Sequence, residues 1–177
     1  MTNFMNRMTQ AAKLDTRLYE EVETDKGAMT QAMGVVVLSS IAAGVGSIGT
    51  LGIGGVFLGT LASLGGWYIW AYLTYIIGTK VLPEPQTEAD LGQLLRTTGF
   101  SSSPGVIRIL GIIPGVGPVV FTVASIWMLV AMVIAVRQAL DYTSTFRAVG
   151  VCAIGWIIQT VIQMLLFSLL GGPPPSI

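Results

Sequence analysis

Five apolar stretches separated by short polar segments dominate the chain. Four of them are about as long as a helix that crosses a bilayer core of about 30 Å, and the third is shorter. The pattern therefore predicts an all-α fold, a polytopic membrane bundle of five transmembrane helices. We place these helices at 29–48, 56–79, 100–113, 118–137 and 146–170.

The third and fourth predicted helices come from one apolar run, 101–136. A continuous helix over 104–136 would measure roughly 50 Å, which is too long for the core. Pro114 and Pro118 also interrupt a helix, because proline lacks the backbone donor and clashes with the preceding turn. The run therefore predicts a hairpin, whose short third helix needs tilt, snorkelling or local thinning of the bilayer to cross.

The polar segments contain weaker amphipathic patterns. Segment 1–28 is predicted to form amphipathic helices that lie in the membrane interface or dock on the bundle; a solvated tail is the alternative. Its apolar residues at helical spacing are Phe4, Met8, Leu14, Leu18 and Val22. Between the second and third spans, Thr87 and Asp90 resemble a capping box that opens a short helix ending at Gly99.

Composition supports the membrane interpretation. Hydrophobic residues make up 53% of the chain and charged residues 10%, whereas soluble domains carry about 25% charged residues. The chain is therefore predicted to be an integral membrane protein. The formal net charge is zero, so the charge balance does not indicate a nucleic-acid partner.

The positions of the Lys and Arg residues predict the orientation. Four of them precede the first span: Arg7, Lys13, Arg17 and Lys26. If the short third helix crosses, eight of the nine Lys and Arg residues face the cytoplasm, as the positive-inside rule requires. We therefore predict a multi-pass protein of the cell (inner or plasma) membrane, with a cytoplasmic segment 1–28 and an extracytoplasmic tail 171–177.

Arg108 lies inside the predicted third helix. A central arginine costs about 2.5–3.5 kcal/mol on insertion scales, so its side chain is expected to face protein or water rather than lipid. By residue type, Gln159 and Gln163 on the last span are its best intramembrane partners. The arginine either binds a lipid headgroup or another anionic ligand, or it is structural; we favour the structural role, because no intramembrane carboxylate accompanies it.

A ladder of small residues in the second span predicts close helix packing. Gly55, Gly59 and Ser63 recur at intervals of four residues, and such residues let helix backbones approach closely. Packing inside the bundle is the first interpretation, and dimerisation through this face is the second.

The sequence predicts no enzyme. It has no histidine, and none of its nine acidic residues falls inside a predicted span; this argues against proton-coupled transport, which relies on such groups. Cys152, the single cysteine, is a poor nucleophile without a neighbouring base. We therefore assign no catalytic, cofactor-binding or metal-binding residue.

These features occur in a characteristic order. A charged N-terminus, "LDTRLYEEVETDKGAMTQAM", precedes two spans and a loop with a short helix. In 99–152 there follow a proline-broken short span, a tryptophan-bearing span, a brief basic loop and "TFRAV" entering the last helix. This order resembles the Yip1 family, in the compact form typical of bacteria.

The resemblance implies a five-span membrane protein with a cytoplasmic N-terminus and points to no catalytic residues. Eukaryotic members are implicated in vesicle trafficking, bind small GTPases and associate with one another. Their GTPase contacts rely on parts that this chain lacks or does not clearly match, so that activity is not carried over. Bacterial members have no settled role.

Three functions fit these predictions. The first is a non-enzymatic membrane protein that organises or binds protein and lipid partners at the cytoplasmic face, with membrane lipids, other membrane proteins or a second copy as partners. The second is an accessory or scaffold subunit of a larger membrane complex. The third is a channel or flippase for small molecules or lipids, built around Arg108 and Gln159, which requires a cavity that reaches the arginine.

Overall fold

A computed structural model describes residues 4–170, excluding the side chains of residues 50, 51, 163 and 166–170. The predicted tail 171–177 lies outside this range. Within it, every regular element is helical, which confirms the all-α prediction for the described residues. The α-helices are α1 (Phe4–Ala12), α2 (Thr16–Thr24), α3 (Met29–Gly46), α4 (Ile48–Ile76), α5 (Leu91–Phe100), α6 (Gly117–Ala139) and α7 (Thr145–Leu170).

Shorter helical segments complete the chain. A 3-10 turn, Lys26–Ala28, leads into α3, and a π-helical turn, Ile77–Val81, ends α4. A 3-10 helix of ten residues, Ser103–Ile112, follows α5; we call it the arm. Such a long 3-10 run is uncommon, because its hydrogen-bond geometry is poorer than that of an α-helix.

Within residues 4–170, four helical segments are long and apolar enough to cross a membrane. They are Lys26–Gly46, Gly52–Val81, Gly117–Ala139 and Thr145–Ile162, and they correspond to the predicted first, second, fourth and fifth spans. Four such helices indicate a membrane protein.

The connection between α3 and α4 differs from the predicted turn. Most of residues 49–55 are helical, and the break is confined to Gly52, which has φ 63° and ψ 178°. Glycine adopts a positive φ without the Cβ clash that other residues incur. The second apolar helix therefore begins at Ile48, eight residues earlier than predicted.

The predicted capping box at the start of α5 is wrong by one turn. Asp90 is the N-cap: its carboxylate accepts from the backbone N–H of Gln93 at 2.8 Å, and the Gln93 side chain accepts from the Asp90 N–H. Thr87 instead closes the preceding turn, where its hydroxyl accepts from the Glu84 N–H and its own N–H bonds the Glu84 carbonyl. Because this turn satisfies Thr87, the helix starts after it.

The α5 helix and the arm run beside α3 in the same direction. Three glycines bring the backbones together, since a Cβ on any of them would clash with α3. The facing pairs are Gly99 with Ala32, Gly105 with Ser39, and Gly111 with Gly46. After the turn at 113–116, α6 returns along the arm in the opposite direction, with Phe121 beside Gly111 and Met128 beside Gly105.

The N-terminal helices dock on the bundle. Leu18, Tyr19 and Val22 of α2 are fully or almost fully buried in a cluster with residues of α3, α5 and α6. The indole N–H of Trp127 on α6 donates to the carbonyl of Ala12 at 2.8 Å. Arg7 of α1 is buried beside α2, where its guanidinium pairs with Glu21 at 2.7 Å and with Asp25 at 2.8 Å.

The loops 82–90 and 140–144 meet at one end of the bundle, which we call the polar end. Beneath them a second cluster buries Ile77, Leu94 and Leu140. The hydroxyl of Tyr142 lies 2.9 Å from the Gly78 carbonyl oxygen and 2.7 Å from the Leu82 carbonyl oxygen, and its one proton is shared between them. These contacts join the end of α4 to the connection between α6 and α7.

Candidate functional site

The arm places Arg108 at the far end of the bundle from the polar end. Its backbone carbonyl lies directly against Gly46 of α3, where any Cβ would clash with it. Small residues on both sides of the contact, Gly46 and Gly111, allow the two backbones to approach this closely. The Arg108 side chain lies toward α6, where it contacts Ser125 and Phe121.

The Arg108 guanidinium is only partly satisfied. Its Nη2 donates to the hydroxyl of Ser125 at 3.1 Å, and its central carbon lies 5.7 Å from the centroid of the Phe121 ring, within the range of a cation–π contact. Its Nε is buried and has no hydrogen-bond partner in the described part of the chain. A buried donor without a partner costs about 1–3 kcal/mol, and more when the group is charged.

A cavity of about 500 Å³ adjoins Arg108. It lies between α3, α4, the arm, α6 and α7, and it is partly open to the outside. Arg108 is the single charged residue among the described residues that line it. The remaining polar lining comes from side chains of six elements or connections: Ser39, Ser40, Ser47, Ser63, Thr98, Ser102 and Gln159.

Gln159 shares the cavity with Arg108 but does not bond to it. In the described part of the chain Arg108 donates to Ser125 instead. The side chain of Gln163 lies outside the described residues. Of the three predicted intramembrane polar residues, the structure therefore brings Arg108 and Gln159 to one cavity.

The predicted small-residue ladder also lines this cavity. Gly55, Gly59 and Ser63 all lie on its wall. A Cβ on Gly59 would meet no described atom within 4 Å. Inside the described chain the ladder therefore faces open volume, and dimerisation through it stays a prediction.

Two tryptophans of α4, Trp67 and Trp70, border the cavity toward the polar end. The Trp67 indole donates to the Leu95 carbonyl at 3.1 Å and to the Thr98 hydroxyl at 3.2 Å. Trp70 donates to the Met132 sulfur at 3.2 Å. Tryptophan among small residues at helical spacing is the signal that could have located this wall.

Glu84 joins the two loops of the polar end. Its carboxylate accepts from the Thr143 N–H at 3.0 Å and the Thr143 hydroxyl at 2.7 Å, and it lies 3.5 Å from Nε of Arg147. The hydrogen bonds from Thr143 lower the pKa of Glu84 to about 2. Because α7 begins at Thr145, the carboxylate also lies where the helix dipole favours negative charge.

A second buried acid, Glu23, lies where α2 meets α5. Its carboxylate accepts from the Gln93 amide at 3.1 Å. Arg96 of α5 donates to the carbonyls of Val22, at 2.9 Å, and Glu23. Burial, followed by the negative charge of Asp141, raises the pKa of Glu23 to about 7.

Comparison of the chain with protein-family models, with curated proteins and with solved structures gave no match.

Proposed function

We propose that the chain crosses the membrane five times, and that α5 and the arm together form the third crossing. The other four crossings are α3, α4, α6 and α7. With α5 included, the third crossing is about 35 Å long, enough for a core of about 30 Å. The 3-10 geometry contributes to this length, because it extends ten residues from about 15 Å to about 20 Å.

This proposal places the polar end in the cytoplasm. Lys80, Arg96, Arg137 and Arg147 lie in or near that end, and the four basic residues before the first span precede α3 there. The positive-inside rule favours such a distribution. The Arg108 cavity then belongs to the extracytoplasmic half of the membrane.

Within this topology we propose a non-enzymatic function of the Yip1 type, in which the protein binds and organises lipid and protein partners. The observation that carries the lipid part is the cavity beside the partly satisfied guanidinium of Arg108. The size of this cavity falls within the usual range for small-molecule sites, about 300–1,000 Å³. A role as accessory subunit of a larger complex stays an alternative with the same kind of partners.

Purification at native expression levels in mild detergent tests this function. We expect lipid, protein or both to remain with the protein at defined stoichiometry, identified by mass spectrometry. An unrelated membrane protein prepared from the same membranes is the control for nonspecific carry-over. A bare monomer with the control's lipid profile would contradict the proposal.

Passage of lipid or small molecules through the bundle is a second candidate, favoured by the same cavity. Transfer of a fluorescent lipid between leaflets of vesicles that contain the purified protein distinguishes the two. If lipid passes through the bundle, its transfer should be faster than in protein-free vesicles, and Gly59→Leu should slow it because leucine there would occupy the cavity. A binding role predicts the same transfer rate as in protein-free vesicles.

A further inference from the structure

We infer that the cavity binds an amphiphile with an anionic head, a phosphate or carboxylate group, and that Arg108 is the anchor for that head. This inference rests on the proposed membrane placement and deepens it by naming the class of ligand. It follows from the charge, the unused donors and the open volume at the cavity.

The charge of Arg108 has no counter-ion near it. No carboxylate lines the cavity among the described residues, and none of the nine acidic residues lies in a proposed span. A cation removed from water is costly unless it is paired, and inside membranes such groups pair with one another or face water. An anion in the adjoining volume would neutralise the guanidinium where it lies.

The donors that remain unused point to an acceptor-rich ligand. Nε of Arg108 is buried and has no hydrogen-bond partner within the described residues, and the side chain of Gln159 also lines the cavity. The hydroxyls of Ser40 and Ser63 already donate to carbonyls of their own helices, at 2.9 Å and 2.8 Å. The guanidinium of Arg108 thus offers the cavity charged N–H groups, which suit the oxygens of a phosphate or carboxylate.

The apolar part of the cavity lining indicates that the ligand also has an apolar part. Away from Arg108, the cavity wall on α4 is mostly apolar: the residues are Gly55, Val56, Gly59, Ser63 and Gly66, with Trp67 and Trp70 toward the polar end. A free inorganic anion would leave this apolar surface unfilled. An acyl chain that lies along the glycine face of α4 would fill it.

Native mass spectrometry of the full-length protein, released from micelles that contain defined lipids, tests the inference. The probes are dioleoyl phosphatidylglycerol, which is anionic, and dioleoyl phosphatidylcholine, which has the same chains and no net charge. We expect phosphatidylglycerol to bind at least about tenfold more tightly than phosphatidylcholine. Equal affinity for the two lipids would overturn the inference.

Arg108→Gln removes the charge of the anchor and keeps a polar side chain that is two heavy atoms shorter. We expect this variant to bind phosphatidylglycerol about tenfold more weakly, a difference of about 1.4 kcal/mol. Lys80→Gln, which removes one exposed positive charge at the other end of the bundle, is the matched control and should bind as the wild type does. A folded Arg108→Gln protein with wild-type affinity would refute the role of Arg108.

A second pair of variants keeps the test decisive if Arg108→Gln does not fold. Gly59→Leu fills the cavity, whereas Gly65→Leu places the same side chain on the same helix outside the cavity; a Cβ at either position meets no described atom within 4 Å. We expect only Gly59→Leu to weaken phosphatidylglycerol binding. Equal binding by the two variants would contradict the inference.

Inorganic phosphate separates a lipid head from a free ion. We expect excess phosphate to leave phosphatidylglycerol bound, because the acyl chain contributes to affinity. Displacement of the lipid by phosphate at equal concentration would overturn the amphiphile assignment. A protein that crosses five times but shows no preference for anionic lipid would refute this inference alone and leave the proposed topology standing.

Discussion

Replacing Arg96 by methionine should release the N-terminal helices from the bundle. Arg96 is a buried residue of α5, 5% exposed, and its guanidinium donates to the carbonyls of Val22 and Glu23 in the last turns of α2. Carbonyls near the end of a helix lack intrahelical partners, so these two bonds also complete α2. Methionine keeps much of the apolar stem but offers no donor.

The size of the effect follows from these two bonds. A hydrogen bond to a charged group contributes about 1.5–3 kcal/mol, and a carbonyl left buried without a partner costs about 1–3 kcal/mol. We therefore expect the loss of both hydrogen bonds to destabilise the docked α2 by about 3 kcal/mol. Since about 1.4 kcal/mol corresponds to a factor of ten in an equilibrium constant, the opening of α2 should become about 100-fold more frequent.

Hydrogen exchange of the α2 amides measures this opening directly. In Arg96→Met, exchange over 16–24 should accelerate by about 100-fold, while the amides of α6 and α7 should change little. Arg17→Met is the control, because Arg17 is 87% exposed and pairs only with nearby Asp15 at 3.2 Å; exposed pairs contribute about 0–1 kcal/mol. Protection of α2 that stays within about threefold of the wild type would refute the reasoning.

Three further predictions concern docking, helix contact and the polar end. Because the pKa of Glu23 is raised from 4.5 to about 7, the docked state binds the proton more tightly, so its stability should fall as pH rises from 4.5 through about 7; α2 exchange corrected for intrinsic rates should show this, and Glu23→Gln should abolish it. Gly46→Val should lower the thermal midpoint of unfolding, because the new Cβ would clash with the Arg108 carbonyl; such overpacking costs about 1–3 kcal/mol. Gly65→Val is the control and should leave the midpoint unchanged, since a Cβ there meets no described atom within 4 Å. Because the pKa of Glu84 is lowered from 4.5 to about 2, its stabilisation of the polar end should be present above pH 4.5 and lost as the pH falls through about 2. Glu84→Gln should loosen the start of α7 at neutral pH, measured as faster hydrogen exchange of the amides in 143–148. An unchanged exchange rate there would count against the anchoring role.

The long apolar helices could be predicted because their signal is local. Length and hydropathy alone identify α3, α4, α6 and α7, and the predicted ends differ from the structure by a few residues, except at α4, which begins at Ile48 rather than at 56. The discrepancy at α4 arises because the glycines of 49–55 suggest a turn over the whole segment. In the structure only Gly52 has non-helical backbone angles, with a positive φ.

The course of α5 and the arm could not be predicted, because it depends on contacts distant in sequence. Gly99 and the run Ser101–Ser103 look like the end of a helix and a loop by local rules. In the structure Gly99 is instead the site of close approach to Ala32, and the chain continues beside α3. Sequence spacing shows that glycines can permit an approach but does not show which helix approaches.

The candidate site was predicted by residue type and not by geometry. Arg108 stands out in an apolar run, and Gln159 could be paired with it as an intramembrane polar residue. The register of α6 against the arm decides the actual partner, Ser125, and hydropathy contains no information about that register. The ladder of Gly55, Gly59 and Ser63 predicts a smooth helix face, but spacing cannot tell a partner helix from a cavity.

Labelling of single cysteines tests the five-crossing topology most directly. Cys152 is the only cysteine in the sequence, so Cys152→Ala provides a background for Val116→Cys, in the turn between the arm and α6, and Thr145→Cys, at the start of α7. With five crossings, a membrane-impermeant thiol reagent added to intact cells should label residue 116 and should reach residue 145 only after permeabilisation. The reverse pattern, with 145 labelled and 116 protected, would show that α5 and the arm do not cross.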